Sequence, residues 1–100
     1  MRAYGVKCAD CQTIIYSRAG HDFRYCTCGN TYVDGGQGKF GGRWGFHRKP
    51  KRVAVDILIE LPELREDWNH RRDLYGKIPK GTLDLRQRVV PDDEMGPSPD

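Results

Sequence analysis

The chain has 100 residues, 37% of them hydrophobic, and a formal net charge of +3 at pH 7. That length suits one small domain that buries roughly two thirds of its unfolded surface, and its apolar runs fall far short of the ~20 residues that a membrane-spanning helix needs. The charge is divided: residues 1–52 carry ten Lys/Arg against three Asp, and residues 53–100 carry seven against eleven Asp/Glu.

In chain order, the first informative feature is Cys8-Ala9-Asp10-Cys11, followed after fourteen residues by Cys26-Thr27-Cys28. These pairs use every cysteine in the chain. Two short pairs at the tips of tight turns can each supply two thiolates to one tetrahedral ion, so Cys8, Cys11, Cys26 and Cys28 are read as a structural Zn2+ site with no coordination position left for catalysis. Gly29 suits a knuckle that needs positive φ. Two disulfides are the first alternative. They are disfavoured by the lack of an apolar leader before Cys8, which points to a reducing, cytoplasmic setting. A redox pair would need a βαβ context that this stretch lacks.

Thr13-Ile14-Ile15-Tyr16 reads as a strand, Ser17-Arg18-Ala19-Gly20 as a turn, and Phe23-Arg24-Tyr25 as the return strand of a hairpin. Asn30-Thr31-Tyr32-Val33 is a third strand stopped by Asp34-Gly35-Gly36, which closes a three-stranded zinc ribbon over 1–36. Residues 37–52 form a Gly-rich basic arm: six glycines fall between Gly35 and Gly45, and Pro50 forbids regular helix in the basic run that follows.

From Val53 the alternation Val53, Val55, Ile57, Ile59, Leu61 marks a half-buried strand. Pro62 then opens a helix over 62–75, with Leu64, Trp68, Leu74 and Tyr75 as its apolar stripe and Gly76 as its cap. Leu83, Leu85 and Val89 suggest a last strand over 82–90. That gives a β-α-β appendage over 53–90, whose size permits a parallel pair. Residues 91–100 are acidic and Pro-rich and read as a disordered tail. The expected fold class is small α+β, an N-terminal three-stranded zinc ribbon followed by the β-α-β appendage.

The pattern His21-Asp22-Phe23, two residues, Cys26-x-Cys28-Gly29, three residues, Val33-Asp34-Gly35-Gly36 resembles a small zinc-ribbon family of unknown function encoded mostly by tailed bacteriophages. The likeness covers about residues 6–36. It implies a ribbon fold, metal binding through the four cysteines and a phage or prophage origin, but no activity.

Cations in the arm interleave with aromatics: Lys39, Arg43, Trp44, Phe46, Arg48, Lys49, Lys51 and Arg52, with Phe40 beside them. Such a mixture suits nucleic acid, because cations neutralise phosphate and ring faces accept unstacked bases. The bland reading is that the rings pack across the ribbon and the cations are solvated. A further possibility is that the acidic tail folds back over this patch. His21, Asp22, Asp34 and His47 invite comparison with a small metal-dependent nuclease, yet their spacing matches no hydrolase pattern. The expected function is non-catalytic binding, of nucleic acid or of a host protein that handles it, with no small-molecule substrate. The alternatives are an inhibitor of a host enzyme or defence system, acting through protein contact, and the nuclease.

Overall fold

Val53, Val55 and Ile57 alternate along a strand and are buried in one cluster, with Ile59 and Leu61 packed against it. The expected inward face is therefore correct, although the strand runs over Lys51–Ile57. The structure is a computed structural model that describes residues 1–38 and 41–94. Its class is α+β, with mostly antiparallel sheets and one α-helix among the described residues.

In chain order the elements are β1 (Arg2–Lys7), β2 (Ile14–Ile15), β3 (Arg24–Tyr25), β4 (Thr31–Asp34), β5 (Arg43–Phe46), β6 (Lys51–Ile57), α1 (Leu61–Asn69), β7 (Lys77–Ile78) and β8 (Gln87–Val89). Two sheets result, one ordered β7-β2-β1-β6-β8 and one ordered β3-β4-β5. The long pairing is β1 with β6, from Arg2 opposite Asp56 to Lys7 opposite Lys51. It lays the first residues of the chain beside its middle.

The larger sheet is apolar on both sides because neighbouring side chains point to opposite faces. One face carries Ala3, Ile14, Val53, Val55, Ile57 and Ile78, and Leu64 of α1 and the buried Tyr16 and Tyr75 complete this core. On the other side Val6 and Ile15 meet Val33 of β4, Cys8 and Cys26, with Trp44 and Cys11 against them. The order is helix, five-stranded sheet, three-stranded sheet, with Cys8 and Cys26 inside the second core.

Three expectations are corrected. The hairpin between 13–16 and 23–25 does not form: Ile14 and Ile15 are both buried and lie between β1 and β7, as a strand apolar on both faces must, while β3 pairs with β4. The three strands of the smaller sheet are instead β3, β4 and β5, so residues 43–46, expected within an irregular arm, are a strand. The last strand is Gln87–Val89 and not 82–90, since Asp84 holds a turn by accepting the amides of Arg86 and Gln87 and leaves Leu83 and Leu85 exposed outside it; the pairing direction, open in the sequence, is antiparallel to β6, with Val55 opposite Val89.

The helix starts as expected but stops early. Glu60 is its N-cap in a reciprocal capping box with Glu63, and Pro62 is its second residue. Its end is set by Asp67, whose carboxylate accepts the amides of Leu74 (3.1 Å) and Tyr75 (3.2 Å) and holds the chain in a loop where Arg71 and Asp73 take positive φ. Leu64 and Tyr75 are buried, Leu74 is exposed, and Gly76 lies beyond the loop. Among the described residues no helix is long and apolar enough to cross a membrane. Of the expected tail, Asp92–Glu94 forms a single 3-10 turn and residues 95–100 lie outside the described residues.

Candidate metal centre and its surroundings

Two turns of similar design carry the sulfurs. In the first, the Cys8 amide donates to Thr13 O (3.0 Å) and the Gln12 amide to Cys8 O (3.1 Å). In the second, the Cys26 amide donates to Thr31 O (3.0 Å) and the Gly29 amide to Cys26 O (3.1 Å). Each turn closes through a residue of positive φ, Gln12 at 62° and Gly29 at 80°. Gly29 meets that demand without the cost that a Cβ imposes at Gln12.

The four Sγ atoms lie within 4.8 Å of one another. Cys26 and Cys28 are 3.5 Å apart and Cys8 and Cys28 3.7 Å. All four cysteines are free, and these separations far exceed the ~2.05 Å of a disulfide. A tetrahedral ion with metal–sulfur bonds of about 2.3 Å has sulfur–sulfur edges of about 3.8 Å. The cluster therefore has the size that a four-thiolate ion requires.

The surroundings favour thiolates. Burial pushes the Cys11 thiol up, but the Thr13 hydroxyl and the amides of Cys28 and Thr13 outweigh it and bring it down to about 5. Burial likewise opposes ionisation of Cys8, yet the Thr31 hydroxyl and the Cys11 and Asp10 amides leave its pKa below the ordinary value. The Asp10 amide donates to Cys8 Sγ at 3.4 Å. At Cys28 the Asn30 amide favours the thiolate, but some desolvation of its sulfur and the neighbouring sulfurs of Cys26, Cys11 and Cys8 prevail and push it up to about 12. Four sulfurs this close cannot all ionise without a cation between them.

The same Thr31 hydroxyl is informative in a second way. It is the buried side-chain polar atom without a hydrogen-bond partner among the described residues, beside the sulfur of Cys8. A Cys8 thiolate would give it an acceptor. Cys8 and Cys26 are buried, Cys11 is partly buried and Cys28 is exposed, so an ion held here would be closed off on the core side and rimmed by solvent at Cys28.

The residues expected to contact nucleic acid are spread around this centre. Arg48 donates to Asp10 at 2.6 Å and so ties the basic run to the first cysteine turn. Trp44 is half-buried against the second core, with the Arg52 guanidinium 5.5 Å above its ring and Phe46 5.5 Å away. Arg43 is exposed and pairs with Asp34 at 2.7 Å, Lys49 is exposed, and Lys51 pairs with Asp92. Lys39 and Phe40 lie outside the described residues. Asp22 is buried and committed to Arg18, and Asp34 to Arg43. Accordingly His21, Asp22, Asp34 and His47 are not gathered into a metal-holding group among the described residues.

Two constellations went unread in the sequence. Arg18 is 1% exposed and holds Asp22 and Asp67 beneath Trp68. Phe23, Tyr25 and Tyr32 form a cluster of rings on the outside of the smaller sheet. The two-residue step from Phe23 to Tyr25 hints at a shared face, but only the β3–β4 register, Tyr25 opposite Tyr32, brings the third ring to them.

A family model described as a domain of unknown function (DUF7695) matches residues 4–44, a span that holds all four cysteines and ends within β5. No curated protein and no solved structure matches the chain.

Proposed function

We propose that this chain is a non-catalytic zinc-binding module that engages nucleic acid, or a host protein that handles nucleic acid. The ion is zinc on the chemistry of the donor set, since four thiolates in a closed tetrahedron suit Zn2+ and leave no open position for a substrate. The likeness to a bacteriophage zinc-ribbon family supports a phage origin.

The observation that carries the binding role is the charge of the segment beside the metal. Residues 41–52 contain Arg43, Arg48, Lys49, Lys51 and Arg52 and no carboxylate, and Arg48 is anchored to the metal turn through Asp10. The carboxylate partners of Arg43, Arg48 and Lys51 are surface pairs, which contribute little and can exchange for phosphate. Fluorescence anisotropy with labelled single- and double-stranded oligonucleotides tests this reading. Affinity that falls steeply as salt rises, with a smaller slope in Arg48→Ala/Lys49→Ala, supports it. No affinity at low salt sinks it.

A second reading is protein contact, favoured by a different surface. Leu58, Leu83 and Leu85 are 74%, 88% and 85% exposed and flank β8, an edge strand of the larger sheet. Such an edge beside apolar side chains suits an added strand from a partner. Leu83→Asp/Leu85→Asp would abolish capture of a host protein while leaving oligonucleotide binding unchanged.

A further inference from the structure

The outer face of the smaller sheet bears three aromatic rings that belong to neither core. Phe23 stacks on Tyr32 with centroids 4.7 Å apart and planes 18° from parallel, Tyr25 lies 5.2 Å from Phe23, and Tyr25 and Tyr32 are 5.9 Å apart. Phe23 and Tyr25 remain 48% and 54% exposed. Tyr32 lies over Gly45, where an added Cβ would come 2.2 Å from its ring, so the backbone of β5 is the floor of the cluster.

Rings placed for packing are consumed by the interior, as Tyr16 and Tyr75 are. These three contact one another and turn about half of two rings to water, an arrangement that costs solvation unless something covers it.

The charge around the rings selects the occupant. Asp34 shares their face, since the register places it opposite Arg43 two residues beyond Tyr32 and Gly45, and Arg43 neutralises it at 2.7 Å. On one side lies β5, which runs into the carboxylate-free basic run up to Arg52. On the other, Lys77 lines a shallow hollow with Phe23 and Tyr25, and Arg24 there balances Asp22 (3.3 Å) and Asp73 (2.6 Å). Ring faces flanked by cations match a chain of planar bases on a polyanionic backbone. A duplex keeps its bases stacked inside and offers these rings nothing.

We infer that Phe23, Tyr25 and Tyr32 form a stacking platform for the unpaired bases of single-stranded nucleic acid, with the phosphates running along the basic segment after β5. This rests on the nucleic-acid reading above and adds to it a strand preference and a second set of contact residues.

The test measures binding of labelled fifteen-residue oligothymidylate, oligouridylate and a duplex of the same length to the metal-loaded chain at two salt concentrations. The wild type is expected to bind single strands at least about tenfold more tightly than duplex. Phe23→Leu/Tyr25→Leu, which keeps apolar bulk and removes ring faces, is expected to lose at least about tenfold of that affinity with its salt dependence and duplex binding unchanged. The two single-stranded arms decide between DNA and RNA. Equal wild-type affinity for single strand and duplex, or a folded double variant that binds as the wild type does, overturns the platform and leaves the nucleic-acid reading standing. Absence of all oligonucleotide binding at low salt removes both. If the double variant loses its metal or its cooperative unfolding, the wild type still decides: ring-proton shifts of Tyr25 on adding oligothymidylate support stacking, and unchanged Tyr25 signals at saturation overturn it. A face that ignores oligonucleotides but retains a host protein through Phe23 and Tyr25 also overturns it.

Discussion

Arg18 and Asp67, 49 positions apart, form an ion pair of 2.5 Å in which the two side chains are only 2% and 3% exposed. Arg18 also donates to Asp22 at 2.8 Å and reaches Asp73 at 3.1 Å, and Trp68 lies 5.5 Å from its guanidinium. One buried cation thus fastens the turn after β2 to the end of α1. Burial opposes its charge, but the hydrogen bonds to Asp22 and Asp67 prevail and its pKa is raised.

Arg18→Met is expected to cost about 3–5 kcal/mol, because it strands the buried Asp67 carboxylate without a cation and leaves the buried Asp22 only its longer contact to Arg24 at 3.3 Å. Adding Asp22→Asn and Asp67→Asn to Arg18→Met is expected to recover part of the loss. Urea unfolding of the variants measures this. A loss below about 1 kcal/mol in Arg18→Met would show that water already screens the pair.

Withdrawing the metal is expected to loosen the second core before the first. Val6, Ile15 and Val33 pack directly against Cys8 and Cys26, whereas the cluster under α1 touches none of the sulfurs. Structural sites of this kind are worth about 10–16 kcal/mol, as much as the whole stability of a small domain. Chelator should release one ion per chain and expose the amides of Cys8, Gln12, Cys26 and Gly29 to exchange while those of β1 and β6 stay protected. Hydrogen exchange with and without chelator reads this, and equal protection in both states would refute it.

In the metal-free chain the four thiols are expected to react out of order with their exposure. With Cys11 at about 5 and Cys28 at about 12, alkylation at pH 7 should modify the partly buried Cys11 ahead of the exposed Cys28. The stability effects have opposite signs. The depressed Cys11 contributes fully above its ordinary value of 9.0 and loses that contribution as pH falls towards about 5; the raised Cys28 contributes fully below 9.0 and loses it as pH climbs towards about 12. Peptide mapping after brief iodoacetamide treatment checks the order, and faster labelling of Cys28 would contradict it.

Gly45→Ala is expected to destabilise the chain by about 1–3 kcal/mol, since its Cβ would meet the Tyr32 ring at 2.2 Å and the ring must move off β5. Combining it with Tyr32→Ala should restore most of the loss, which a pair of denaturation curves can show. A Gly45→Ala variant as stable as the parent would mean that the ring is free to swing away.

Local chemistry was readable one residue at a time. The spacing of Cys8, Cys11, Cys26 and Cys28 identified the thiol cluster because ligands close in sequence sit on turns that their own backbone bonds define. The alternation of Val53, Val55 and Ile57 identified a face because a strand repeats every two residues, although the pattern ran on to Leu61, past the strand's end. Gly29 announced its positive φ for a similar reason, as did Pro62 the start of the helix.

Pairing was decided elsewhere. Ile14 and Ile15 carry the same strand preference whether they join β3 or lie between β1 and β7. Only burial on both faces, with Val6 on one side of the sheet and Ile78 on the other, settles the choice. The early end of α1 depends on where the Asp67 carboxylate can reach, and the aromatic face depends on the register that sets Tyr25 beside Tyr32. Composition and spacing determine what each segment can do alone, because those preferences are short-range. Which strand neighbours which, and hence which side chains share a surface, follows from the competition of all segments for one buried interior, and that competition is resolved only in three dimensions.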